Sequence, residues 1–106
     1  MALGRSGGPA AALKAAMTGD ADAWVREFAV EALGRIGGPE AVAALAAALA
    51  GDADTAFHRL VAYALGRIGG HAAVDALATA LTSNADPNVR QSAVEALSMI
   101  AKKYPT

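Results

Sequence analysis

The sequence predicts an all-α fold, an α-solenoid of stacked helical hairpins with about six helices. Three observations carry that expectation: one segment recurs at a displacement of 32 positions, alanine dominates the apolar composition, and turn signals fall at matching places in each copy. A repeat of this length marks a unit that cannot bury its apolar face alone, so that stacking of neighbours builds the core. Alanine adds a second constraint. It is the best helix former and occupies little volume, which favours closely spaced helices. β-branched residues are scattered and never alternate over a useful length, so strands are not expected.

The repeat is read directly. Ala32-Leu33-Gly34-Arg35-Ile36-Gly37-Gly38 returns as Ala64-Leu65-Gly66-Arg67-Ile68-Gly69-Gly70. The same displacement carries Ala41-Val42 to Ala73-Val74, Leu45 to Leu77, Leu49 to Leu81, and Asp20 to Asp52 and then Asn84. A final copy, Val94-Glu95-Ala96-Leu97, matches Val30-Glu31-Ala32-Leu33 and then diverges.

Each element follows from periodicity and caps. Residues 1–8 hold a partial leading repeat, Ala2-Leu3-Gly4-Arg5-Ser6-Gly7-Gly8. A first short helix over 9–18 offers Ala10, Leu13 and Met17 as its apolar positions. Asp22 can accept amide protons of the first turn and opens 22–36, whose stripe is Val25, Ala29, Leu33 and Ile36. Gly37-Gly38 ends that helix and Pro39 starts 39–50, with Val42, Leu45 and Leu49. Asp54 opens 54–68, with Phe57, Val61, Leu65 and Ile68 facing inward. The span 71–82 repeats the short pattern with Val74, Leu77 and Leu81, and Asp86 opens 86–103 with Val89, Ala93, Leu97 and Ile100. The helices therefore pair as 9–36, 39–68 and 71–103 within one domain over 1–106, the second helix of each pair being the longer.

The ends differ. Ala101-Lys102-Lys103-Tyr104 prolongs the last helix in place of a Gly-Gly turn, as a polar capping end would. The first short helix has only Leu13 and Met17 where later copies have a Val and two Leu. That end is expected to seek cover, and the expected cover is a second copy, giving a homo-oligomer through repeat ends.

The pattern Asp-x-x-Val-Arg-x-x-Ala-x-x-Ala-Leu-Gly-x-Ile-Gly, followed by Ala-Val-x-x-Leu-x-x-x-Leu, resembles the HEAT-like repeats of phycobilin lyases. It is also similar to artificial alpha-repeat scaffolds. Residues 22–49 follow it almost throughout and 54–82 with changes. The resemblance implies that the long helices line a concave face and carry the partner-contacting positions. On the first these are Trp24, Glu27, Phe28, Glu31 and Arg35; on the second Ala56, Arg59, Leu60, Tyr63 and Arg67; on the third Asn88, Gln91, Ser92, Glu95 and Met99. The partner-binding set expected from them is Trp24, Glu27, Phe28, Glu31, Arg35, Arg59, Leu60, Tyr63, Arg67, Gln91 and Glu95. Aromatic anchors with charged neighbours are the composition that binding hot spots favour. In such arrays the Arg of the Val-Arg pair, here Arg26 and Arg90, often joins a ladder with Asp residues. Phe57-His58 replaces that pair in the middle unit, so His58 is expected to interrupt the ladder.

Function is expected to be interaction, a scaffold that binds a protein or peptide on the concave face. The alternatives are a subunit or fragment of a bilin lyase acting on phycobiliprotein chromophore, which rests on the resemblance alone, and a self-assembling repeat unit. A formal net charge of −1 provides no field to steer the chain to nucleic acid or anionic membrane. With no cysteine there are no disulfides or thiolate sites, and His58 and His71 lie in different helices without a third strong ligand. The Gly-Arg-Ile-Gly-Gly segments lack the strand before and the Lys-Ser/Thr after that a phosphate loop needs. No catalytic constellation is evident, so the expectations are no enzyme activity, no cofactor, no metal, no nucleic acid and no membrane, in a cytoplasmic setting. Gly34 and Gly66, inside their helices, are expected to permit close helix approach.

Overall fold

The computed structural model describes residues 8–19, 22–51 and 55–103. Most of the leading partial repeat, Asp20, Asp52, the Asp54 cap and Tyr104 lie outside the described residues. Six helices follow in order: α1 (Pro9–Gly19), α2 (Ala23–Ile36), α3 (Gly38–Ala50), α4 (Thr55–Ile68), α5 (Gly70–Ser83) and α6 (Pro87–Lys103). No strand occurs among the described residues. No described helix is long and apolar enough to cross a membrane.

The helices form two layers. The even-numbered helices pack in sequence, α2 on α4 and α4 on α6, and the odd-numbered ones likewise, α1 on α3 and α3 on α5. Each odd helix also packs on the even helix that follows it, which makes three antiparallel-type hairpins of α1–α2, α3–α4 and α5–α6. The alternation of short and long helices is weaker than the repeat pattern suggests, since α5 and α4 both span 14 residues. Leu33, Leu45, Leu49, Leu65, Leu77, Val30, Val61, Val89 and Met17 are the large side chains fully removed from solvent between the layers. Met17 packs completely, so α1 is better covered by its own chain than its sparse apolar positions imply.

One residue of the expected stripe, Ile36, and one outside it, Val94, differ in burial from their repeat equivalents. Ile36 is 48% exposed, whereas its repeat equivalents Ile68 and Ile100 are half-buried and buried. Val30 is buried, and its equivalent Val94 is 45% exposed. Both follow from which neighbour each side of a helix meets. Gly34 of α2 lies against Ala64 of α4, and Val30, one turn earlier, shares that side. Val94 holds the same place on α6, beyond which no described helix lies. Ile36 points the other way, toward the position before α2, where no described even-numbered helix stands.

Junctions are set by glycine. Gly37 and Gly69 both have φ of 66°, with ψ of −159° and −163°. That combination is essentially open to glycine only. Gly38 and Gly70 follow at φ of 80°. The amide of Gly37 donates to the carbonyl of Leu33, and that of Gly69 to Leu65, each at 3.0 Å, so the last turn of the helix keeps an acceptor occupied. Asp86 caps α6, accepting from the Asn88 amide at 2.9 Å, whereas Asp22 stands before α2 without a capping bond.

Candidate functional site

The outward stripe of the even-numbered helices is built by the same displacement that builds the core. On α2 the exposed residues Trp24, Phe28, Glu31 and Arg35 recur three or four residues apart, so they share one face, with Glu27 beside them. Their equivalents on α4 are Ala56, Leu60, Tyr63 and Arg67, with Arg59 beside them, and on α6 Asn88, Ser92, Glu95 and Met99, with Gln91. Trp24 and Phe28 are each 68% exposed and Tyr63 is 53% exposed. Glu27, Glu31, Arg35, Arg59, Arg67, Gln91 and Glu95 are exposed, and Leu60 is half-buried. Charge is mixed across the stripe, with Glu27 and Glu31 on α2 and Arg59 and Arg67 on α4, so no single-sign field develops.

Position along the stack separates two kinds of site. Residues 28, 60 and 92 are repeat equivalents, and exposure falls from Phe28 through the half-buried Leu60 to Ser92 at 5%. Leu60 and Ser92 sit where the preceding even-numbered helix covers them. Phe28 has no described helix of that kind beside it. Phe28, with Trp24 one turn before, thus lies on the first of the described even-numbered helices, and Tyr63 on the second.

Arg59 and Tyr63 of α4, with Ser92, Glu95, Ala96 and Met99 of α6, line a notch of about 230 Å³. Among the described residues neither Arg59 nor Glu95 makes an ion pair or hydrogen bond, although both line the same small cavity. A wider groove of about 670 Å³ lies on the other layer between α3 and α5, walled largely by Ala46, Ala50, Ala76 and Ala80, with Asp75 as the one ionisable group among the described residues that line it. It offers area but few directed groups, and the notch offers several, which is what orients a ligand. No residue of the groove belongs to the expected set. Alanine spaced to pack helices gives no sequence signal distinct from alanine that walls a cavity.

Arg26, His58 and Arg90 occupy one repeat position on the three even-numbered helices. Arg90 donates from one guanidinium nitrogen to the carbonyls of Asn84 (2.9 Å) and Ala85 (3.0 Å). His58 Nε2–H donates to the carbonyl of Gly51 at 3.0 Å, a bond that fixes the proton on Nε2 because a carbonyl only accepts. His58 thus braces the α3–α4 connection as Arg90 braces α5–α6. Its Nδ1 is buried and has no hydrogen-bond partner. Arg26 lies over the Phe57 ring, 5.8 Å from the centroid, linking α2 to α4. His71 is exposed. Among the described residues no group of three or more His, Cys, Asp or Glu is placed to hold a metal ion. Lys103 reaches back from α6 to donate to the Arg67 carbonyl at 3.3 Å, a cation at the carbonyl end of α4.

Comparison with known proteins follows the same lines. A family model described as HEAT repeats matches residues 10–98. No curated protein matches the sequence. Among solved structures, human deoxyhypusine hydroxylase in complex with glycerol is similar at 36% sequence identity and a TM-score of 0.73, over 87% of this chain and 32% of that chain. The chain thus spans about a third of the length of that protein. This likeness overturns the expectation that the chain has no enzymatic role, because the similar protein is by name an enzyme. The reason the expectation failed is physical. In a repeat array a site can be assembled from side chains of separate units, and a motif search within one unit does not see it.

Proposed function

Because this chain belongs to the HEAT-repeat family, we propose that it is a scaffold that binds a protein or peptide across the outward stripe of α2, α4 and α6. HEAT repeats serve generally in interaction and scaffolding, and what supports the narrower reading is one observation. Trp24, Phe28 and Tyr63, three of the chain's five aromatics, stand more than half exposed on that one stripe. Large rings held on rigid helices lose little conformational entropy when covered, and they dominate the energetics of interfaces. Glu27, Glu31, Arg35, Arg59, Leu60, Arg67, Gln91 and Glu95 surround them with groups that fix orientation. The test is selection of binders from a displayed peptide library, followed by affinity measurement with single variants. Tyr63→Ala or Trp24→Ala is expected to weaken a selected peptide by about thirtyfold, the effect of a hot-spot truncation. Binders that ignore every stripe variant and respond only to changes on α3 or α5 would refute the proposal.

A second reading has its own observation, the 36% identity to a hydroxylase over most of this chain. In that reading the repeats contribute walls to a larger catalytic array. The assay is incubation with a deoxyhypusine-bearing protein and mass spectrometry. A gain of one oxygen atom supports it, and an unchanged mass under conditions where the human enzyme acts counts against it.

A further inference from the structure

We propose that the notch between α4 and α6 is a subsite for a carboxamide, the side chain of an Asn or Gln carried by a peptide partner. The inference rests on the peptide-binding reading above and names what one part of that surface selects. It starts from Ser92. The residue is 5% exposed and lines the notch, and its hydroxyl has no hydrogen-bond partner among the described residues. Two hydroxyls turn back on their own helices, Thr18 donating to the Lys14 carbonyl at 2.9 Å and Thr82 to the Ala78 carbonyl at 3.0 Å. Ser92 does not. The repeat equivalents of Ser92 are Phe28 and Leu60, so a polar group here breaks an apolar series at its most buried member. The hydroxyl oxygen stays open to the notch rather than sealed off, so a ligand there takes the place of water on a group that no described protein atom engages.

The walls decide which ligand. Arg59 and Glu95 line the same cavity with no ion pair between them, so the site presents one free cation and one free anion. A carboxylate drawn to Arg59 meets the repulsion of Glu95, and an ammonium drawn to Glu95 meets that of Arg59. A neutral group with a donor end and an acceptor end satisfies both. A primary carboxamide has this character, its oxygen accepting from Arg59, Ser92 or Tyr63 and its NH₂ donating to Glu95. Ala96 and Met99 supply apolar surface for the methylenes that carry it, and the thioether adapts to their shape. A notch of about 230 Å³ has room for a side chain of this size.

The experiment uses the full chain, isotope-labelled, titrated with the N-acetyl, N-methylamide derivatives of Gln, Glu, Lys and Met while backbone amide resonances are followed. The Gln derivative is expected to bind tightest and to shift resonances of α4 and α6 around Arg59, Ser92 and Glu95. Ser92→Ala is expected to weaken it about three- to tenfold, the range of one neutral hydrogen bond, and to leave the Met derivative unchanged. Glu95→Gln, an exposed change that spares the core, is expected to move preference to the Glu derivative. The proposal is overturned if the Glu or Lys derivative binds the unaltered chain best, if Met matches Gln, or if no derivative perturbs the notch at its solubility limit. Failure here is separable from failure of the scaffold reading. Peptides that need Trp24 or Tyr63 but carry no fixed Asn or Gln would leave the scaffold standing and remove the subsite.

Discussion

Gly34 and Gly66 occupy the same place in successive repeats, yet substituting alanine at each should give different results. A Cβ built on Gly34 would lie 3.2 Å from the Cβ of Ala64, 3.6 Å from its Cα and 3.8 Å from its carbonyl oxygen. Only the first is tighter than ordinary contact, and an alanine Cβ moves only with its backbone, so relief requires the two packed helices to shift by a few tenths of an ångström. On Gly66 the new methyl would meet the terminal methyl of Met99 first, and then the Cβ and carbonyl oxygen of Ala96, each at 3.4 Å. Met99 can swing aside by rotation of its own side chain, at little cost to the backbone. Replacing a mid-helix glycine by alanine stabilises by about 1 kcal/mol. Overpacking a tight contact costs about 1–3 kcal/mol. Gly34→Ala is therefore expected to destabilise by about 1 kcal/mol, as the clash outweighs the propensity. Gly66→Ala should fall close to neutral. Urea unfolding followed by far-ultraviolet circular dichroism measures both. A double-mutant cycle of Gly34→Ala with Ala64→Gly should show favourable coupling of about 1 kcal/mol, since the second change removes the atom met. If Gly34→Ala proves as stable as Gly66→Ala and the cycle shows no coupling, the close approach of α2 to α4 is not what the glycine permits.

Further outcomes follow from burial and backbone geometry. Leu33→Ala and Leu65→Ala, both at fully buried positions, should each cost about 2–5 kcal/mol in thermal or urea unfolding. Trp24→Ala, at a position 68% exposed, should stay within about 0.5 kcal/mol, and an equal loss there would make Trp24 a core residue. Gly38→Ala and Gly70→Ala meet no atom within 4 Å, yet the φ of 80° should cost about 1–3 kcal/mol. A D-alanine introduced by chemical ligation at either site should fold without that loss, and parity of the two enantiomers in a melting experiment would refute the backbone origin. His58→Ala should cost about 2 kcal/mol through the lost carbonyl bond and the cavity. His58→Arg should recover part of it if Arg90 is the right model for the bracing, and an arginine no better than alanine would argue otherwise.

The helices were legible because their signals recur from unit to unit. Three second helices carry the same apolar spacing, and two Gly-Gly junctions mark where helices stop. A single copy would not have distinguished the 14-residue α5 from a shorter helix, and even three copies did not reveal its length. Exposure of Ile36 and Val94 was illegible for another reason. Periodicity says which side of a helix is apolar, and not whether a neighbour is present on that side. The stripe holding Trp24, Phe28 and Tyr63 could be placed by spacing alone, but the notch could not. Arg59 and Ser92 are 33 positions apart and meet only because α4 and α6 pack at a separation set by small residues at their seam. The one local hint was the series Phe28, Leu60, Ser92, in which a hydroxyl takes an apolar place.

The two junctions have a consequence for how such a chain can change. Gly37-Gly38 and Gly69-Gly70 adopt the same dihedral angles to within a few degrees, and a Cβ built on Gly38 or Gly70 would meet nothing within 4 Å. The angle between consecutive hairpins is thus written in backbone torsions at positions that no ligand-facing side chain contacts. Residues of the stripe can be exchanged without disturbing that angle, and the angle can be altered without editing the stripe. Recognition and curvature are encoded in separate alphabets. Selection can rewrite the surface for a new partner one residue at a time while the frame that presents it stays fixed.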